Sequence, residues 1–368
     1  MKIIRLTGWA IILLGGFLLF FISHRYPAFA TWYASYVFPV FQHTIGRFFG
    51  LFPFSVFEVL VILAGFGLFA GIIFTIVSLC TIPGRKKLKK HIKAVPLPIL
   101  YTLSIMFLVF ILTTGINYNR ESFSYHVGIE VTDSSVDELV QLYLILAARA
   151  EILSGQIETD DNGHFILNKS GLHNYAIQSM HDLNSLYGGL GNFFPRAKAP
   201  FLSRFILSNS NINGVFAPWT MEAHYNGDIL GQSIPFVITH ELAHFAGHMR
   251  EDEANFIAYL ASRNSDNVDF QYSAVYIALN YTLNALRRAL STETYRELFA
   301  ILPEQIHRDF AADRAYWQAF QGPVADMAVR VNDTYLRLNQ QEDGVRSYGR
   351  MVDLLLAYYR NVGKISAE

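Results

Sequence analysis

Three apolar stretches in the first third of the chain constrain its fold more than any other feature. They are "LTGWAIILLGGFLLFFI" (Leu6–Ile22), "VLVILAGFGLFAGIIFTIVSL" (Val59–Leu79) and "LPILYTLSIMFLVFILTTGI" (Leu97–Ile116). A helix needs about 20 mainly apolar residues to cross a bilayer core. The second and third stretches have that length and the first falls slightly short. Hydrophobic residues make up 52% of the 368, which agrees with a membrane contribution. The first stretch has a second reading as a cleaved signal: Lys2 and Arg5 precede it, and "AFA" at Ala28–Ala30 has the form of a cleavage site. Tyr26 and Pro27 fit that reading poorly, and the run is long for a signal, so three spans are expected.

The segment "GRKKLKKHIK" between the second and third stretches carries Arg85, Lys86, Lys87, Lys89, Lys90 and Lys93. Short basic loops stay in the cytoplasm, and Lys2 and Arg5 agree with that sidedness. The loop from Ser23 to Phe57, whose aromatics (Trp32, Tyr33 and Tyr36 among them) suit a membrane interface, is then expected to face outward. So is everything after Ile116. The expected location is the cytoplasmic (inner) membrane, multi-pass, with an extracytoplasmic domain. A net charge of −1 gives no support for nucleic-acid binding. The single cysteine, Cys80, excludes a disulfide within the chain and a cysteine-based metal site.

Residues 1–116 therefore read as a membrane region and 117–368 as one domain, mainly α with a small β-sheet. "DSSVDELVQLYLILAARAEIL" opens on a capping residue, Asp133, and continues with helical periodicity. "SGLHNYAIQSMHDLNSLYG" is a second helix ended by Gly188 and Gly189. "GGLGN" is a turn, and the stretch to Asn226 suits one or two strands. Helices are then expected at 236–246, 251–262, 275–290, 308–320, 324–338 and 345–359.

The chemistry concentrates in "ITHELAHFAGHMREDEAN", Ile238–Asn255. Within "HELAH", His240 and His244 are four apart and share one helix face. They can point two imidazoles at one zinc ion, with Glu241 placed to act as general base. The bland alternative is two histidines on a partly buried helix beside a surface glutamate. A catalytic zinc takes three protein ligands and keeps a fourth position open. His248 cannot supply the third: eight helical residues span about 12 Å, whereas ligands of one zinc lie within about 4 Å of each other. The metzincin pattern HExxHxxGxxH matches at Gly247 but has Arg250 where it requires histidine. Glu251, Asp252 and Glu253 remain. Gly247 can end the first helix, and a second can start near Glu251, where acids suit the N-terminus.

"EDEANFIAYLA" has the form E-x-x-A-N followed by an apolar helix face, and so resembles the gluzincins. The resemblance implies Glu251 as third ligand and Asn255 as a residue beside a ligand histidine, with Glu253 the rival ligand and Asp252 and Glu253 otherwise surface charge. "NGVFAPWTMEAHYN" (Asn213–Asn226) resembles the NAFAxP strand of membrane-bound prenyl-protein and heat-shock endopeptidases of that group, which borders the cleft. Glu222 and His224 are candidates to line it, a place on the strand face being the simpler role for each. The E-x-E-A-N element is also similar to that of small zinc peptidases that cleave phage repressors. Nearly the whole chain resembles an uncharacterised bacterial three-span membrane family carrying "HELAH", "REDEANFIAYLA" and "DGVRSYGRMVDLLLAYY". Gluzincins often stabilise the oxyanion with a later Tyr or His, and Tyr348 in "GVRSYGR" is the candidate, a core tyrosine being its bland reading.

The resemblance implies an α+β zincin-like domain after the transmembrane helices, binding Zn2+ and hydrolysing a peptide or protein substrate beside the bilayer. The rival is a catalytically silent zincin fold serving as a binding or envelope-assembly module.

Overall fold

The computed structural model describes residues 2–94, 96–339 and 341–365. The chain is mainly helical with a small two-stranded sheet, and it divides into two compact units. The first is residues 1–120 together with 217–222, and the second is 121–216 together with 223–368.

The first unit contains helices α1 (Lys2–Arg25), α2 (Pro27–Tyr36), α3 (Val56–Leu79), α4 (Ile82–Ala94) and α5 (Pro96–Phe110). Among the described residues three helices are long and apolar enough to cross a membrane: Thr7–Arg25, Val56–Leu79 and Pro96–Asn119. The first packs along the third, with the Phe17 and Phe107 rings 4.7 Å apart and Asn119 Nδ2 donating to Ser23 Oγ at 3.1 Å. Two expectations need correction. The aromatic segment after Ser23 is helical from Pro27, and of its aromatics Tyr33 and Phe38 are buried in protein while Trp32 and Tyr36 stay exposed. The basic segment is not a loop but α4. Its lysines and leucine are good helix formers and no proline interrupts them after Pro83. Lys2, Arg5, Lys90 and Lys93 lie outside the residues whose side chains are described.

Helix α3 begins with a doubled cap. Ser55 Oγ accepts from Glu58 N at 2.9 Å, and the Glu222 carboxylate accepts from Val56 N at 3.0 Å and Phe57 N at 2.8 Å. A carboxylate at this end satisfies orphan N–H groups and opposes the helix dipole. Trp219 stacks on Phe57 at 5.8 Å and donates to the Met106 carbonyl at 3.1 Å. Glu222 is thereby committed to α3, which corrects the suggestion that it lines a cleft.

The second unit is built on helices α6 (Val136–Ser154), α7 (Leu172–Tyr187), α8 (Ile234–Phe245), α9 (Glu251–Arg263), α10 (Val268–Ala289), α11 (Thr292–Ala300), α12 (Glu304–Gln318), α13 (Pro323–Leu338) and α14 (Met351–Asn361). Strands β1 (Gly214–Ala217) and β2 (Glu222–Tyr225) form a hairpin whose tip belongs to the first unit. The cap of α6 is Ser135, not Asp133: Ser135 Oγ accepts from Glu138 N while Glu138 accepts from Ser135 N, a capping box. Helix α10 starts two turns earlier than the apolar pattern suggests. Asn267 caps it through Asp269 N and Phe270 N. Residues 344–350, expected as the first turns of a helix, are a 3-10 segment leading into α14.

Helix α8 is the centre of this unit. It packs on α7, α9 and α10, and every residue from Ile234 to Phe245 is buried. Leu242 and Phe245 are fully buried, worth about 1.5–3 kcal/mol each. Thr239 Oγ1 meets Ser262 Oγ of α9 at 2.9 Å, and Phe236 N donates to Ser273 Oγ of α10 at 3.1 Å. A helix buried all round thus carries two histidines and a glutamate in its interior.

Candidate functional site

Helix α8 ends as the glycine predicts. Gly247 adopts φ +88, and the main chain closes with Gly247 N to His244 O at 2.9 Å and His248 N to Ala243 O at 3.0 Å. This is a glycine-terminated reversal. It brings the next helix, whose first residue is Glu251, back over α8. The Glu251 main-chain N is held by Gln341 Oε1 at 3.1 Å.

The result is a cluster of three buried side chains, His240, His244 and Glu251, whose donor atoms all lie within 4.8 Å of one another. Glu251 Oε2 is 3.2 Å from His240 Nε2 and 3.5 Å from His244 Nε2. The imidazoles are perpendicular at 4.6 Å between centroids. Charged hydrogen bonds are shorter, about 2.7–2.9 Å, and Glu251 Oε2 has no hydrogen-bond partner in good alignment. Two ligands of a tetrahedral ion bound at about 2.1 Å stand about 3.4 Å apart. Two nitrogens and one carboxylate oxygen at this spacing are a donor set that could hold a metal ion.

His244 Nδ1 donates to the His248 carbonyl at 2.8 Å, which leaves its Nε2 facing Glu251. His240 Nδ1 and Glu241 Oε2 are buried without hydrogen-bond partners. Asn255 lies beside His240, and its side chain acts to raise the basicity of that ring. Its Nδ2 donates to Tyr348 O at 3.2 Å and approaches Tyr281 Oη at 3.5 Å. The Tyr348 ring lies nearly parallel to His240, 6.4 Å away.

Electrostatics separate these groups. Burial pushes the Glu241 carboxyl up to about 8, against the pull of His244, and nearby Glu251 adds to the rise. Burial would also raise Glu251, but His244 and His240 outweigh it and hold that carboxyl down to about 2. Burial would lower His244, yet Glu251, Glu241 and the His248 carbonyl raise it to about 9. Burial dominates at His240 and lowers it. The histidines thus favour charge on Glu251, while burial disfavours charge on His240 and on Glu241. Burial drives the Tyr348 hydroxyl well above its ordinary value, and the neighbouring Glu251 adds to this.

The structure therefore brings His240, His244, Glu251, Glu241, Asn255 and Tyr348 together. Glu253 is placed elsewhere and is not surface charge. It is 3% exposed, and its carboxylate accepts from Ser124 N at 3.1 Å, Ser124 Oγ at 2.8 Å and Arg250 at 3.1 Å. His248 packs edge-on against Phe123 and meets the Gly189 carbonyl at 3.2 Å, apart from the cluster. His224 Nδ1 meets Val215 O across the hairpin at 3.2 Å, a strand-face role.

Sequence reasoning missed three contributors. Tyr281 on α10 reaches Asn255, and only its place on the helix face shared with Asn284 and Arg288 hinted at it. Gln341 follows α13 and carries no local signal. Gly214 opens β1 directly over Glu241: a Cβ there would overlap Glu241 Oε1 and come within 2.8 Å of Val237 Cγ1. Only glycine lets the strand pass this close.

The chain belongs to the family described as a protein of unknown function (DUF3810), whose model matches residues 33–356. No curated protein and no solved structure matches it.

Proposed function

We propose that the chain is a membrane-anchored, zinc-dependent metallopeptidase. The observation that carries this reading is the spacing of His240, His244 and Glu251. Their donor atoms stand at ligand-to-ligand distances, with the Glu251 oxygen buried and without an aligned hydrogen bond. The two histidines favour the ionised Glu251 carboxylate but neither bonds it in good alignment, and a divalent cation held by all three donors would compensate the buried charge more fully. The His2Glu donor set suits Zn2+. When bound, zinc would polarise the scissile carbonyl and make water acidic enough to ionise near neutrality.

The chain's own residues supply the rest. Glu241 takes a proton from the attacking water as its oxygen bonds to the carbonyl carbon. It delivers that proton to the amide nitrogen as the C–N bond breaks, giving a carboxylic acid and an amine. The Tyr348 hydroxyl, kept protonated by burial, donates to the oxygen on which negative charge develops. The main chain of β1 beside Glu241 can pair with an extended peptide. A structural zinc has no need of Glu241, so its buried carboxylate beside the cluster favours hydrolysis over the silent binding module.

The proposed topology places α4, with Arg85, Lys86, Lys87 and Lys89, in the cytoplasm and residues 117–368 outside the inner membrane. A reporter fused after Lys364 is expected to be active only outside the cytoplasm.

The test uses full-length protein in detergent micelles and a diverse peptide mixture. Cleavage that depends on Zn2+ and disappears in Glu241→Gln is expected. Cleavage unchanged in that variant refutes the assigned base.

A further inference from the structure

A cleft of about 770 Å³ opens beside the cluster, with Tyr281 and Tyr348 among its walls. One wall is the stripe of α10 that runs from the half-buried Tyr281 to the exposed Asn284 and Arg288. The other includes Arg346 and Arg350 of the 3-10 segment. We propose that this cleft is an anion-binding subsite centred on Arg288, and that the substrate is a peptide carrying a carboxylate away from the bond to be cut. The proposal rests on the hydrolytic reading above and deepens it.

The charges lining the cleft are unequal. Asp343 is bound to Arg350 at 2.5 Å. Burial raises the Asp353 carboxyl, and the same Arg350 pulls it back. One arginine thus serves both acids of the cleft. Arg346 is exposed, and its charge helps to hold down Asp333, which Arg337 already binds at 2.8 Å. Arg288 forms no hydrogen bond or ion pair with any described residue, and it is exposed on the cleft wall. A guanidinium presents a planar fork that takes a carboxylate through two parallel hydrogen bonds. Arg346, exposed across the cleft, adds to the field that favours an anion.

The geometry also sets a register. Arg288 is seven residues beyond Tyr281 on one helix, two turns or about 10 Å along the axis. Tyr281 touches Asn255 at the cluster. An extended peptide covers about 3.3 Å per residue, so the recognised carboxylate lies about three residues from the scissile bond. It belongs either to an acidic side chain or to the peptide's C-terminus.

Binding is measured in full-length Glu241→Gln protein loaded with Zn2+ in detergent micelles, so that nothing is consumed. The probes are three synthetic octapeptide pools, compared by equilibrium dialysis: Asp/Glu-rich with an amidated end, Asn/Gln-rich with a free carboxylate end, and Asn/Gln-rich with an amidated end. A carboxylate-bearing pool is expected to bind about tenfold tighter than the neutral one, the worth of a charge-assisted contact. Which pool does so identifies the source of the carboxylate. Arg288→Ala is expected to bring that advantage below about twofold, and Arg288→Lys to keep part of it. Equal binding of the three pools, absence of binding by all of them, or an advantage that survives Arg288→Ala overturns the subsite. Cleavage by the wild type is scored separately. Carboxylate preference without cleavage removes the hydrolytic reading and leaves the anion site, and cleavage without preference does the reverse.

Discussion

His244 Nδ1 donates to the main-chain carbonyl of His248, 2.8 Å away. The third histidine of the motif therefore acts on the second through its backbone, not its ring. The reversal at Gly247 makes this possible, because it presents the His248 carbonyl to the side chain four residues earlier. His244 Nε2 is left as the nitrogen that faces Glu251.

This relationship separates the three histidines by metal content. Full-length wild-type protein is expected to retain close to one zinc per chain after dialysis, whereas His240→Ala, His244→Ala and Glu251→Ala retain little. His248→Gln is expected to keep the metal, since its carbonyl remains, and to lose about 1–2 kcal/mol of stability from poorer packing beside Phe123. Elemental analysis of the folded protein checks each case. Equal zinc in wild type and His240→Ala would falsify the centre.

Glu251 and Glu253 are two residues apart and should behave in opposite ways. Glu253→Ala leaves Ser124 N and Oγ without their buried acceptor, a cost of about 3 kcal/mol. A clear drop in unfolding midpoint is expected, with zinc retained at temperatures where the protein is folded. Loss of zinc from folded Glu253→Ala would reverse the assignment of the third ligand.

Gly214 is where the strand meets Glu241, the proposed base. Gly214→Ala is expected to lower peptide cleavage at least about 100-fold, because a small displacement of a reacting group is enough to do so. Zinc content should stay at the wild-type level. A variant as active as wild type would show that β1 can move away from Glu241 at little cost.

Glu138 joins the capping box of α6 to Arg360 of α14, and the guanidinium holds its carboxyl below the ordinary value despite the opposing effect of burial. A depressed folded pKa means that the stabilisation is fully present above the unfolded value, about 4.3. It is lost as pH falls through the folded value. Arg360→Met should therefore be less stable than wild type at neutral pH, by about 1–3 kcal/mol. The gap should narrow as the medium is acidified below about pH 4. Thermal unfolding across that range reads the difference, and a gap independent of pH would show that the ion pair contributes nothing.

The parts of this structure that were legible in sequence are those with local causes. Apolar length marks the spans, Gly247 marks the end of α8, and the four-residue spacing of His240 and His244 marks their shared face. What was not legible depends on residues far apart in the chain. Nothing near Glu253 announces that Ser124, 129 residues away, will need a buried acceptor. Tyr281 and Gln341 reach the cluster only through packing of α10 and of the turn after α13. The basic stretch between the apolar runs reads as a loop from its charges, but those same residues have high helix propensity and form α4.

Residues 217–222 are counted with the first unit, although the chain reaches them from the second. No single cut separates the two. Protein expressed from Glu121 onward would carry a hairpin tip made for another surface, with the Trp219 indole bare and the Glu222 carboxylate deprived of the amides it caps. The membrane fragment ending at Arg120 would lack the acid at the head of α3. Expression of either half alone calls for repair at these two positions, or for supplying the missing half on a second gene.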